Sequence, residues 1–167
     1  MTVMDEAAIV LRVVLGGLMA FHGTDKLFRW WGSNGISDSL DFFSSRGYRP
    51  PLLMAYAAGV TEAVGGLLLL TGTATYLAAA MLLGVVVNIL SIHVRSGLDN
   101  RRGGCEFDLT LLAGVVAVTL LGPGSYSVDD LLGVPDESWM PVAALVAGAL
   151  SGLAIVASRR APREAAR

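Results

Sequence analysis

Eight side chains that can hold a charge, a proton or a strong hydrogen bond lie in or beside apolar runs of this sequence. They are Arg12, His22, Lys26, Glu62, Asn88, His93, Glu106 and Asp108. Ionisable groups inside an apolar helix are costly, so they usually face a bundle interior and read first as functional candidates. Histidine has a reference pKa close to neutral, so His22 could carry a proton or offer a hydrogen bond to a quinone-like carbonyl. Arg12, His22, Glu62 and Asn88 read as the buried set, with Lys26 and His93 nearer one edge. Glu106 and Asp108 fall where they would ring the same mouth as His93 and Lys26. The catalytic residues themselves remain unknown at this level. No Cys/His metal spacing, phosphate-binding loop or dinucleotide fingerprint occurs, so no metal site is expected. The single cysteine, Cys105, cannot form an internal disulfide.

The elements that must position these groups are long and oily. Of the residues, 54% are hydrophobic and only 16% are charged. Five nearly continuous apolar runs cover about 6–28, 52–72, 75–93, 107–122 and 140–158. A membrane-spanning helix needs roughly 20 mostly apolar residues. Four runs reach that length, and 107–122 is marginal. Long solid runs argue against a β-barrel, whose strands alternate in short segments. The expected fold is all-α, a polytopic transmembrane helix bundle. The first run reads as a retained helix, because "MTVMDEAA" carries acids and no base where a secretion signal needs basic residues.

Short-loop bases orient the bundle. Lys26, Arg29, Arg46 and Arg49 fall between the first two runs, and Arg95, Arg101 and Arg102 in the third connection. Arg159, Arg160, Arg163 and Arg167 fall in the tail. Five spans with the N-terminus outside and the C-terminus cytoplasmic place all of these on one side, leaving only Arg12 elsewhere. Lys26 and Arg29 could also serve as anchors beside Trp30 and Trp31 in an aromatic belt. The bases follow topology rather than forming a patch, so nucleic-acid binding is not expected. "GPGSYSVDD" should end a helix sharply and open a loop whose acids, Asp129, Asp130, Asp136 and Glu137, face the other side. Such a loop reads as solvated, and it could receive a partner or a cation.

At about 100° per residue, Arg12, His22 and Lys26 fall within an arc of roughly 80°. Gly16 and Gly23 lie beside that arc, and small residues allow close helix packing in membranes. Glu62 sits among Ala55, Ala58, Gly59, Gly65 and Gly66, and Asn88 shares a face with Gly84 and Ser91. Three small-and-polar stripes are therefore expected to turn inward. Axial rise suggests an Arg12–Glu62 pair within the bundle, with His22 and Asn88 in a second polar layer. That pair could be functional or simply a clamp on helix register.

"LRVVLGGLMAFHGTDKLF" and the Gly-rich "AGVTEAVGGLLLLTG" resemble the DoxX family of small bacterial membrane proteins. So do "NILSIHVRSG", "GGCEFDLTLLAG" and "GPGSYSVDD", in the same order, from about residue 7 to 132. The resemblance implies a four-helix core, set at 1–132, with 133–167 adding a fifth transmembrane helix and a basic cytoplasmic tail. Arg12, His22, Gly23, Lys26, Glu62, His93 and Glu106 look family-like, with no catalytic role attached. The resemblance implies the bacterial inner (plasma) membrane, and an association with redox complexes and with a quinone as ligand. Expected partners are the bilayer and other membrane or cytoplasmic proteins of such a complex. Three readings follow: a redox-associated subunit, a non-catalytic anchor or scaffold, and a small proton-coupled transporter using Glu62 and His22.

Overall fold

A computed structural model describes residues 2–30 and 33–160. Trp31 of the expected aromatic belt, and Arg163 and Arg167 of the basic tail, lie outside the described residues. The chain is a helical membrane bundle. Its first long helix runs as α1 (Val3–Leu11), a π-helical turn (Arg12–Gly16) and α2 (Gly17–Phe28). A short helix α3 (Ile36–Ser45) precedes α4 (Pro51–Thr71) and α5 (Thr75–His93). Then come α6 (Glu106–Leu121), the single turn α7 (Val128–Leu131) and α8 (Met140–Ala157). No strand occurs among the described residues.

Segments Pro51–Thr71, Thr75–Ser96 and Met140–Ala157 are long and apolar enough to cross a bilayer. The boundaries follow local chemistry. Thr2 and Asp5 form a capping box at the start of α1, and Pro occupies the first turn of α4 and of α8. Gly72 ends α4 in the left-handed conformation (φ 69°), where a side chain would be strained. Arg29 ends α2 in the same region (φ 60°) despite its side chain, and Trp30 stacks on Phe28 just beyond it.

Two helix pairs make the closest approaches, and glycine permits both. A Cβ added to Gly23 would lie 2.2 Å from the Ala63 backbone nitrogen, and one on Gly66 would lie 2.3 Å from that of Ala20. Gly16 meets Leu70 in the same way, so α2 and α4 pack backbone to backbone. On α8, the buried Ala144, Gly148 and Gly152 recur every fourth residue, and the two glycines face α5. A Cβ on Gly152 would come within 2.7 Å of the Gly84 carbonyl oxygen. Apolar association is weak in lipid, so such close packing replaces the hydrophobic drive. The larger residues of α8, among them Val142, Val146, Leu150 and Leu153, remain on its exposed face.

Leu15, Met19, Leu69, Leu82, Leu83, Val86, Leu111, Val115 and Val118 fill the space where these pairs meet α6. A smaller cluster of Phe43, Tyr48, Ala55 and Ile92 ties α3 and its following loop to α4 and α5.

The alternating helices leave Lys26, Arg29, Arg46, Arg49, Arg95, Arg101, Arg102, Arg159 and Arg160 at one end of the bundle. Asp5, Asp129, Asp130 and Asp136 lie at the other. The expected solvated loop is instead built into that second end. Asp129 is only 6% exposed, and its carboxylate accepts from Ala74 N, Thr75 N and Thr75 Oγ1 at 2.7–2.8 Å. It thereby satisfies the first donors of α5. Asp5 accepts from the Ser125 amide and hydroxyl, and Tyr76 donates to Asp136. Sequence alone cannot show this, because the donors are more than fifty residues away.

Gly66→Ala should lower the thermal midpoint in detergent by the equivalent of about 3 kcal/mol, since backbone rather than a movable side chain blocks the new methyl. Gly17→Ala, with nothing within 4 Å, should be neutral or stabilising by about 1 kcal/mol. Circular dichroism melts of the two variants would check both outcomes.

Candidate functional site

The α2–α4 contact brings Lys26 to Glu62. Lys26 Nζ donates to Glu62 Oε1 at 2.5 Å and Oε2 at 2.6 Å. Glu62 is 1% exposed, and the lysine side chain is 31% exposed. Gly59 makes this possible, since a Cβ there would touch Leu27 and Lys26 side chains. The expected Arg12–Glu62 pair is therefore not formed. Arg12 turns toward the opposite end, where its guanidinium donates to the carbonyl oxygens of Pro123 and Tyr126. It is 3% exposed, and Nε has no partner among the described residues. The reason is directional: helical side chains lean toward their own N-terminus. Arg12 leans to the Pro123 loop, whereas Lys26, lower on the same face, leans back up to Glu62.

His93 ends α5, and its Nδ1 lies 2.7 Å from Asp108 Oδ2. The turn at 97–106 fixes that meeting. Cys105 N donates to the Gly97 carbonyl and Glu106 N to the Leu98 carbonyl, so α6 starts beside the end of α5. Asp108 is buried in the first turn of α6, while Glu106 is exposed and does not join it. Asn88 is buried one turn deeper than His93. Its Oδ1 accepts from Tyr48 Oη at 2.8 Å and from Arg159 at 2.6 Å. Arg159 also donates to the Asn88 carbonyl and to Ser91 Oγ, and its guanidinium lies 4.7 Å from the Tyr48 ring centroid. Burial pushes the Tyr48 phenol above its ordinary pKa, which keeps it a donor.

These groups border a cavity of about 530 Å³ that runs along α5 between α4 and α8, with α3 across one end. Lys26, Asp38, Ser39, Glu62, Asn88 and His93 supply most of its polar lining, with the hydroxyls of Ser33, Thr61 and Ser151 beside them. Its apolar walls include Phe42, Phe43, Met54, Ala58, Met81, Val85, Ile89 and Ile155. Met81 and His93, both in the lining, are separated by about 18 Å of helix rise. Ala57, Ser151 and Ile155 on its rim are exposed on the side of the bundle. The shape is an elongated groove, mainly apolar, with polar groups spaced along it, and a concave apolar site with few polar groups is what small ligands favour.

Four of the candidates thus share one site: Lys26, Glu62, Asn88 and His93. Arg12 is at the far end. His22 is not in the second layer beside Asn88; it packs edge-on to Phe21 and Phe107 and does not line the cavity. Sequence reading passed over Asp38, Tyr48, Ser151 and Arg159. Arg159 was legible as a basic tail residue, but its contact with Asn88, beside Arg160 N donating to the Gly47 carbonyl, joins stretches far apart in the chain. Among the described residues, no three His, Cys, Asp or Glu side chains converge as a metal-ligand set.

The DoxX family profile matches residues 7–94, more than half of the chain. The chain belongs to the DoxX family. Over 126 residues it is 28% identical to the Bacillus subtilis protein named "Putative oxidoreductase CatD", covering 75% of this chain and 86% of that one. No solved structure matches. In this DoxX protein the matched region carries Lys26, Glu62, Asn88 and His93, whereas Asp108, Ser151 and Arg159 lie beyond it.

A double-mutant cycle checks the pairing. Lys26→Ala and Glu62→Ala should couple by about 1–3 kcal/mol, whereas Arg12→Ala and Glu62→Ala should add within roughly 0.5 kcal/mol. Thermal stability of the single and double variants in detergent is the measurement.

Proposed function

We propose that this DoxX protein is the membrane subunit of a redox-associated complex and that its cavity holds a quinone-class ligand. One observation carries the reading: an elongated apolar groove whose polar lining brings together Lys26, Glu62, Asn88 and His93. The residues present fit such a molecule. A quinone has a flat ring, two hydrogen-bonding oxygens and often a long apolar tail. Asn88 offers its amide nitrogen, because Oδ1 is already engaged by Tyr48 and Arg159. Lys26 has a third proton beyond the two directed at Glu62. Phe42, Phe43, Met54 and Ile89 can cover ring faces, and the opening beside Ala57 and Ile155 can admit a tail from the surrounding lipid. A bound quinone supplies two-electron, two-proton chemistry; the chain's side chains orient its oxygens and exclude water.

The electron donor or acceptor is assigned to a partner protein, consistent with the oxidoreductase name carried by CatD. With the basic end facing the cytoplasm, as the positive-inside rule favours, that partner docks on Arg46, Arg49, Arg95, Arg101 and Arg102. The transporter reading draws less support, because Glu62 is held by Lys26 and His22 does not line the cavity.

Wild-type protein in lipid nanodiscs should bind a short-tailed naphthoquinone, read by calorimetry. Ala57→Phe, which adds a ring at the exposed rim of the cavity, should weaken binding at least tenfold while leaving the melt nearly unchanged. Absence of wild-type binding would overturn the proposal.

A further inference from the structure

The His93–Asp108 contact sets the character of the ligand end of the cavity. Asp108 comes from α6, outside the groove, and its side chain is 7% exposed. An ionised carboxylate only accepts hydrogen bonds, so the imidazole nitrogen facing it, Nδ1, carries the proton. In a neutral imidazole the remaining nitrogen, Nε2, is then an acceptor. His93 itself lines the cavity, and Nε2 is the nitrogen left for a ligand. Asn88, one turn away on α5, has the opposite character. Its oxygen is occupied by Tyr48 and Arg159, which leaves its NH₂ group as a donor.

A donor and an acceptor five residues apart on α5, both lining the cavity, distinguish the two redox forms of a quinone-class molecule. A quinone oxygen can accept from Asn88, but against Nε2 it meets another acceptor. A hydroxyl satisfies either group.

We infer that Asp108, acting through His93, makes the cavity selective for the hydroquinone form over the quinone. The inference rests on the quinone-class reading above and names the form that the site takes. Asp108 is a positioning residue: it holds the imidazole in the tautomer that accepts a ligand hydroxyl. Sites built to pair a hydroxyl discriminate against analogues that lack it. The His93 side chain is 31% exposed, so the preference expected here is of the order of tenfold rather than the largest such a site can reach.

The test uses the full chain in nanodiscs, anaerobically, at about pH 8, where an imidazole is ordinarily neutral. A short-tailed naphthoquinone and its chemically reduced naphthohydroquinone are titrated separately by calorimetry. The wild type should bind the hydroquinone at least tenfold more tightly. In Asp108→Asn the amide can donate to Nδ1, moving the imidazole proton to Nε2, so that preference should vanish or invert. A purely structural Asp108 would instead lower the melting temperature and leave the ratio of affinities unchanged. Nitrogen-15 spectra of histidine-labelled wild type give an independent reading, with His22→Gln assigning the second of the two histidines. They should show His93 Nδ1 protonated and Nε2 bare. Equal affinity for both forms, an unaltered ratio in folded Asp108→Asn, or a protonated Nε2 in the neutral wild type would each overturn the inference. Binding of neither form would overturn the quinone-class reading itself.

Discussion

Glu62 can stay charged inside an apolar bundle only if a cation reaches it, and the cation can reach it only if two backbones nearly touch. Lys26 meets both carboxylate oxygens because Gly16, Gly23, Gly59 and Gly66 remove the side chains that would hold α2 and α4 apart. Glycine costs helix propensity, about 1 kcal/mol each relative to alanine, so the arrangement carries a penalty in every helix that uses it. Close packing and a satisfied buried charge offset it. The two effects depend on one another: widening the helix pair would strand the carboxylate, and removing the lysine would leave the tight seam around an uncompensated charge.

The second helix pair shows the same logic with a different result. Gly84, Gly148 and Gly152 let α8 lie against α5, and Arg159 beyond its end returns to Asn88, Ser91 and Tyr48. One pair holds a charge in place and the other holds a wall in place. The groove lies between them, bordered by both but filled by neither. At the opposite end the bundle is closed by Arg12, Asp5 and Asp129 acting on one loop. The two ends are thus unlike in chemistry, one a polar plug and the other a polar-lined opening.

Much of this was legible in the residues. Apolar runs located the helices, and small residues at helical spacing marked the faces that turn inward, Gly23, Gly59, Gly66 and Gly84 among them. Lys26, Glu62, Asn88 and His93 stood out because a polar group in an oily run demands a partner. The partners themselves were less legible. Arg12 was expected to serve Glu62, because axial distance allowed it; the lean of helical side chains, together with backbone carbonyls offered by a distant loop, decided otherwise. Asp129 read as a loop acid, since nothing local reveals that its acceptors are spent on α5. The role of Arg159 was hidden in the same way, because the contact of Arg160 with Gly47 that accompanies it lies more than a hundred residues away in the chain.

The family match ends at residue 94, yet one wall of the groove is made by α8, some fifty residues later. The charged and hydrogen-bonding floor and the shape of the space above it are therefore written in separate stretches of chain. Changes in Ser151 or Ile155 can reshape what fits without disturbing Lys26 or Glu62. In this molecule the reactive floor and the gauge that measures its guest can be tuned one at a time.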